Sequence, residues 1–204
     1  MLLLTILFSI TPTKAAFSSF IVPGSGDYLM GDKERGLCFM VAEAAIWLTY
    51  FDSKKQEDER DRISQNFAAF YASANLDNED EDYFNAMEDF LTNIDYNESV
   101  KETARRLYPD TLDAEVMQDR IEERKEYIEE NSYTGSDAWD WSSGELRDNY
   151  RDMRRDKRRL SQRATNMGGL ALANRVVSLF TTYFFGKRVS LEIKDKEIEV
   201  GFKF

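Results

Sequence analysis

Between Pro23 and Gly36 the chain reads Pro-Gly-Ser-Gly-Asp-Tyr-Leu-Met-Gly-Asp-Lys-Glu-Arg-Gly, the stretch closest in residue type to a phosphate-binding loop. The spacing does not suit that chemistry. Gly24-x-Gly26 lacks the third Gly, three residues on, that a dinucleotide fingerprint requires. Gly26 and Gly31 stand four residues apart as in a nucleotide loop, but Asp32 displaces Lys33 and no Ser or Thr follows to hold magnesium. The same residues suit tight turns and close backbone approach between two short apolar helices, so Pro23, Gly24, Gly26, Asp27, Tyr28, Gly31 and Gly36 read as a structural motif. The run Asp77 to Asp82 offers acids to calcium, and a loop beginning at Asp77 puts Glu88 at position twelve. Asp82 occupies position six, where the loop's sharp turn needs Gly, so a solvated loop is expected there.

Other routes to catalysis are narrow. The chain has no His, which removes the Ser-His-Asp and Cys-His arrangements and the usual zinc sites. Cys38 is alone, so no disulfide can form within the chain, and its apolar surroundings predict a small buried side chain. Carboxylates are plentiful, but no spacing singles out an acid and base pair. Trp139 and Trp141 could stack on sugar. Alternating Trp beside a helix start more often staples that helix to a core. Asn97-x-Ser99 is a glycosylation sequon by pattern only. The expectation is a protein without catalytic residues, cofactor, metal or small-molecule substrate.

The elements that must position these residues are helical. Of 204 residues 42 % are apolar and 13 % aromatic, enough for a core in one domain. The 38 acids and 27 bases leave −11, which disfavours nucleic acid as a partner. The charge is segregated, with −16 over 52–144 and +7 over 145–188. Apolar residues recur at helical spacing at Ile63, Phe67, Phe70, Tyr71 and Ala74, and again at Phe84, Met87, Phe90 and Leu91. Val116, Ile121 and Ile128 mark a thinner stripe. Ser142 and Glu145 form a capping box for one long helix from 143 to 185, along which Gly168-Gly169 is the expected point of bending or close packing. Asp148, Asp152 and Asp156 each precede an Arg by three residues, which suits ion pairs within that helix. From Val189 the period changes to two, interrupted at Asp195-Lys196, which predicts a β-hairpin over 189–204.

Residues 1–15 combine an apolar run with Pro12 and Ala15 and read as an export signal cleaved after Ala15. The alternative is an uncleaved anchor continuing through Val22. Residues 37–51 and 167–185 are apolar around most of their circumference, yet each carries an ionisable group near its middle. Both are marginal membrane spans or helices that need one another. Aligned antiparallel, they bring Glu43 to Arg175, and a buried, hydrogen-bonded pair is expected there, since an unpaired ion in that layer is costly.

The Pro23–Gly36 stretch resembles the P-G-x-G-Q-x-Y-x-G-x-x-x-x-G opening of an uncharacterised bacterial envelope family, catalogued as a domain of unknown function. Asp27 stands where that family has Gln, and Leu29 where an aromatic is usual. The resemblance extends to Glu43-Ala44-Ala45 and resumes at Trp139-Asp140-Trp141, Arg147-x-x-Tyr150-x-x-x-Arg154 and Asn174-Arg175-Val176-Val177-Ser178. It implies a place in the cell envelope and a helical, membrane-proximal fold, and it implies no mechanism. The combined expectation is a mainly α, membrane-associated bundle with one long C-terminal helix and a C-terminal hairpin. Its parts are 1–15 (signal), 16–51 (glycine motif and first apolar helix), 52–142 (acidic helical region), 143–188 (basic-then-apolar helix) and 189–204 (hairpin). Such a protein acts as a scaffold or assembly factor, with membrane lipid and another envelope protein as partners. The alternative is a periplasmic binding module that uses 52–142 to hold a cation or basic partner.

Overall fold

The computed structural model describes residues 11–201, with side chains described to Arg188 except at Ala114. The architecture is mainly helical: α1 (Pro12–Ile21), α2 (Ser25–Leu29), α3 (Lys33–Ala72), α4 (Glu81–Asp89), α5 (Asn93–Leu107), α6 (Ala114–Asn131) and α7 (Gly144–Gly201), with a 3-10 turn at Gly135–Asp137. The chain forms two compact units. One holds the described residues up to Lys54 and from Ser161, the other Lys55–Leu160. Among the described residues no helix is long and apolar enough to cross a membrane.

In the first unit, Thr11 caps α1 and Pro12 opens it, where the missing N–H costs nothing. The first ten residues of the expected signal lie outside the described residues. Ala15, its expected last residue, is buried inside α1. Pro23 and Gly24 turn the chain into α2, and Asp32 then caps α3 by accepting from the Arg35 N–H at 3.1 Å. The first part of α3 lies antiparallel to α7. Arg35 stacks on Phe185, Glu43 meets Arg175, and the Asn174 amide donates to the Phe39 carbonyl at 3.3 Å.

The second unit has a conventional aromatic core. Ala68 and Ala72 of α3 pack with Tyr83, Phe84 and Met87 of α4, with Trp139 and Trp141, and with Tyr150 of α7. The buried face of α3 is therefore turned from the expected stripe: Phe67 packs at the core, whereas Phe70 and Tyr71 are exposed. Small Ala side chains allow close helix approach there, so size as well as hydropathy chose the face. The Trp139–Trp141 segment runs beside residues 91–93, bridged by Asn93 N–H to the Trp139 carbonyl (3.1 Å) and Trp141 N–H to the Leu91 carbonyl (2.9 Å). Side-chain caps start the helices: Asp80 for α4, Thr92 for α5 and Asp113 for α6.

Three expectations about the last helix change. Its cap is Ser143, which accepts from Leu146 N–H at 3.3 Å, not Ser142. Added side chains at Gly168 and Gly169 would meet nothing within 4 Å, so neither marks close packing. The β-hairpin is absent among the described residues, because α7 continues through 189–201; residues 202–204 lie outside them. The physical reason is twofold. A two-residue hairpin turn calls for positive φ, which Asp195-Lys196 supplies poorly without Gly or Asn. Leu, Glu and Lys instead favour extension of an existing helix.

Candidate functional site

The glycine motif forms a tight junction in the first unit. Gly24 adopts φ +83°, and an added Cβ would lie 2.0 Å from the Gly36 carbonyl oxygen. Its N–H donates to Ser178 Oγ at 2.7 Å. A Cβ on Gly26 would fall 1.9 Å from the Ala15 carbonyl, and the Gly26 N–H donates to Ser19 Oγ at 2.9 Å. Thr182 Oγ1 is hydrogen-bonded to Ser19 Oγ at 2.8 Å and to the Ser178 carbonyl at 2.7 Å. Four segments thus meet through glycine backbone and small hydroxyls. Gly31 is different: its φ of +98° explains the Gly, but nothing lies within 4 Å of an added Cβ. Pro23 is buried and Tyr28 is exposed, with Lys33 Nζ 5.7 Å from its ring centre.

Asp27 is completely buried and accepts from Arg35 Nη2 at 2.7 Å. Its Oδ2 and Arg35 Nε are buried without a partner among the described residues. Arg35 also stacks over Phe185 at 4.0 Å, so one guanidinium joins α2, α3 and α7. Sequence reasoning missed Arg35, although its place nine residues after Gly26, one turn into a helix, matches what an inward-facing Asp27 needs.

Deeper along the helices, Arg175 Nε and Nη2 reach Glu43 Oε1 at 3.0 and 2.9 Å. Asn174 donates to Oε2 at 3.0 Å and Trp47 Nε1 to Oε1 at 2.9 Å. The structure brings the two predicted partners together, but the burial is unequal: Glu43 is 14 % exposed and Arg175 35 %. Burial pushes the Glu43 pKa up, and the hydrogen bonds from Asn174, Trp47 and Arg175 outweigh it, leaving the value below ordinary glutamate.

A second charged centre, in the other unit, was not anticipated. The Arg154 side chain is 0 % exposed. It donates from Nε to Glu88 (3.2 Å), from Nη1 to Asp61 (3.1 Å), and from Nη2 to Glu81 (2.6 Å) and Asn85 (2.9 Å). Lys157 binds both Asp61 and Glu81, which explains the one cation in the apolar seam of α7. Arg158 holds Glu88 through both nitrogens. Burial lowers the Arg154 pKa, but Tyr150, Glu81 and Glu88 more than offset it, so the group stays charged. The signal available in sequence was the spacing of four from Tyr150, itself buried and donating to the Phe84 carbonyl at 3.0 Å. The Asp-Arg pairs at spacing three form as ion pairs along α7.

The remaining candidates are engaged in structure. Trp139 and Trp141 are buried and give their indole N–H groups to the carbonyls of Phe90 and Met87. The acidic run 77–82 folds on itself and its neighbours: Asp77 and Asp80 N–H donate to Asn75 and Asn78, and Asp80 accepts from Tyr133. Among the described residues no three acids or thiols converge on a point that could hold a metal. Cys38 is exposed rather than buried. The sequon residue Asn97 binds the Tyr133 backbone through both ends of its amide.

No family model, curated protein or solved structure matches this chain. The chemistry of the site must be read from its own geometry. Apart from Asp27 Oδ2 and Arg35 Nε, its buried groups bond to one another and to backbone, an arrangement that holds segments in register.

Proposed function

We propose that this is a non-enzymatic, membrane-associated protein of the bacterial envelope, a scaffold or assembly factor whose first unit beds in lipid. The observation that carries the reading is the inverted composition of that unit. Its buried residues are almost all small or polar, among them Ala15, Ala16, Ser19, Asp27, Ala171, Ser178 and Thr182, with Ile46 the one large apolar side chain in the described part. Its large apolar residues face outward: Phe17, Ile21, Leu29, Leu37, Val41, Leu48, Phe51, Leu172, Val177, Phe180 and Phe184 are exposed. In water such an exterior is strongly unfavourable, whereas in lipid small residues and hydroxyls are what bring helices together.

The second unit supports a division of labour. It keeps its aromatic residues inside and carries 29 acids against 16 bases, a net −13. That surface stays in water and suits a basic envelope partner. The reading is tested by fractionating cells that express the full chain. Recovery in the membrane pellet, resistant to alkaline carbonate, is expected. A monomer in the soluble fraction would overturn it.

A further inference from the structure

We infer that the first unit selects anionic phospholipid, by seating a lipid phosphate between Arg35 and Arg188 above a phenylalanine groove. This inference rests on the membrane reading above. A cavity of about 320 Å³ is lined by Arg35, Phe180, Thr181, Phe184, Phe185 and Arg188, all in the first unit. Its composition is that of an amphiphile site. Phe180 and Phe184 are exposed and stack on one another at 6.5 Å, an apolar wall suited to the start of an acyl chain. Two guanidinium groups flank that wall, and guanidinium is the side chain best matched to a phosphate. Arg35 is held in place by its stacking on Phe185, its bond to Asp27 and its contact with Asp32 Oδ2 at 3.4 Å, so it loses little freedom when a ligand meets it, and Arg188 brings the groove's second cation.

Gly186 sits against Pro12 and Met30, which brings together the start of α1, the α2–α3 turn and the 185–188 segment. Lys14, Lys33, Arg35, Lys187 and Arg188 belong to these segments. Asp32 and Glu34 oppose them, and Asp27 is buried and committed to Arg35. Over residues 11–54 and 161–188 there are eight bases and five acids, a net +3, against −13 for the other unit. An anionic leaflet would attract the bases of these segments. A neutral leaflet offers the same hydrocarbon without that bias.

The test is vesicle flotation of the full chain on phosphatidylcholine alone and on phosphatidylcholine doped with phosphatidylglycerol. Wild type should favour the doped vesicles, and Arg188→Gln should cut that preference about five-fold. Arg155→Gln, the same charge change on the exposed face of the second unit, should leave the preference intact. Equal binding to both vesicles would overturn the lipid selection and leave membrane association standing. Failure to float on either would overturn the membrane reading and this inference with it. A preference lost in Arg155→Gln but kept in Arg188→Gln would overturn the groove, and release by millimolar inorganic phosphate would show an anion site rather than a lipid site.

Discussion

Replacing Arg154 with Met keeps an unbranched side chain in place and removes the charge on which four side chains of the second unit converge. The cost can be worked from the structure. Breaking a buried ion pair costs about 3–5 kcal/mol, because the carboxylates left behind lose their counter-ion. Here the loss is softened, since Arg158 still holds Glu88 and Lys157 still reaches Asp61 and Glu81. We expect about 3 kcal/mol. At a urea slope of ~1.5 kcal/mol per molar, the midpoint should fall by ~2 M. Trp139 and Trp141 lie in this unit's core, so fluorescence in a Trp47→Phe background reports its unfolding. Arg154→Lys keeps the charge but cannot present a planar fork to Asp61, Glu81, Asn85 and Glu88, and should recover less than half of the loss. Acid gives a second readout. Burial raises the Glu81 pKa, and Lys157 and Arg154 bring it below the ordinary value of 4.5. Its contribution is therefore complete above that pH and is lost as pH falls through the folded-state value. Arg154→Met removes one of those causes, so the gap between wild type and variant should narrow below about pH 4.5. A loss under ~1 kcal/mol, the size of an exposed bridge, would refute the keystone role.

Two further outcomes concern the first unit. In a cycle of Glu43→Gln and Arg175→Met, each single change should cost ~2 kcal/mol, and the pair should couple by at least ~1 kcal/mol in thermal unfolding; additive losses would mean that the contact carries no energy. Gly24→Ala meets both positive φ and the Gly36 carbonyl and should cost more than ~3 kcal/mol, whereas Gly31→Ala meets φ alone and should cost ~1–2 kcal/mol; equal melting shifts would refute the close-approach argument.

The sequence alone determined the helical class, the antiparallel meeting of 37–51 with the last helix, and the glycine junction, because these follow from short-range rules. Apolar circumference requires a covering partner, an ion in an apolar layer requires a counter-ion, and clustered Gly requires close backbone. The Glu43–Arg175 contact was legible for that reason: each segment had one ionisable group near its middle, so alignment left a single pairing. Tertiary structure decided the rest. Arg154 looked like one more base in an Arg-rich helix, and only the convergence of α3, α4 and α7 around it turned a surface residue type into a fully buried charge. The alternation after Val189 resembled strands, but alternation carries no information about whether an adjoining helix will propagate, and here it did. The outward-facing Leu and Phe of the first unit were visible as composition. That they lie outside, over a core of Ala, Ser, Thr and Gly, depended on which faces the helices turned to one another, and no single helix encodes its neighbour's face.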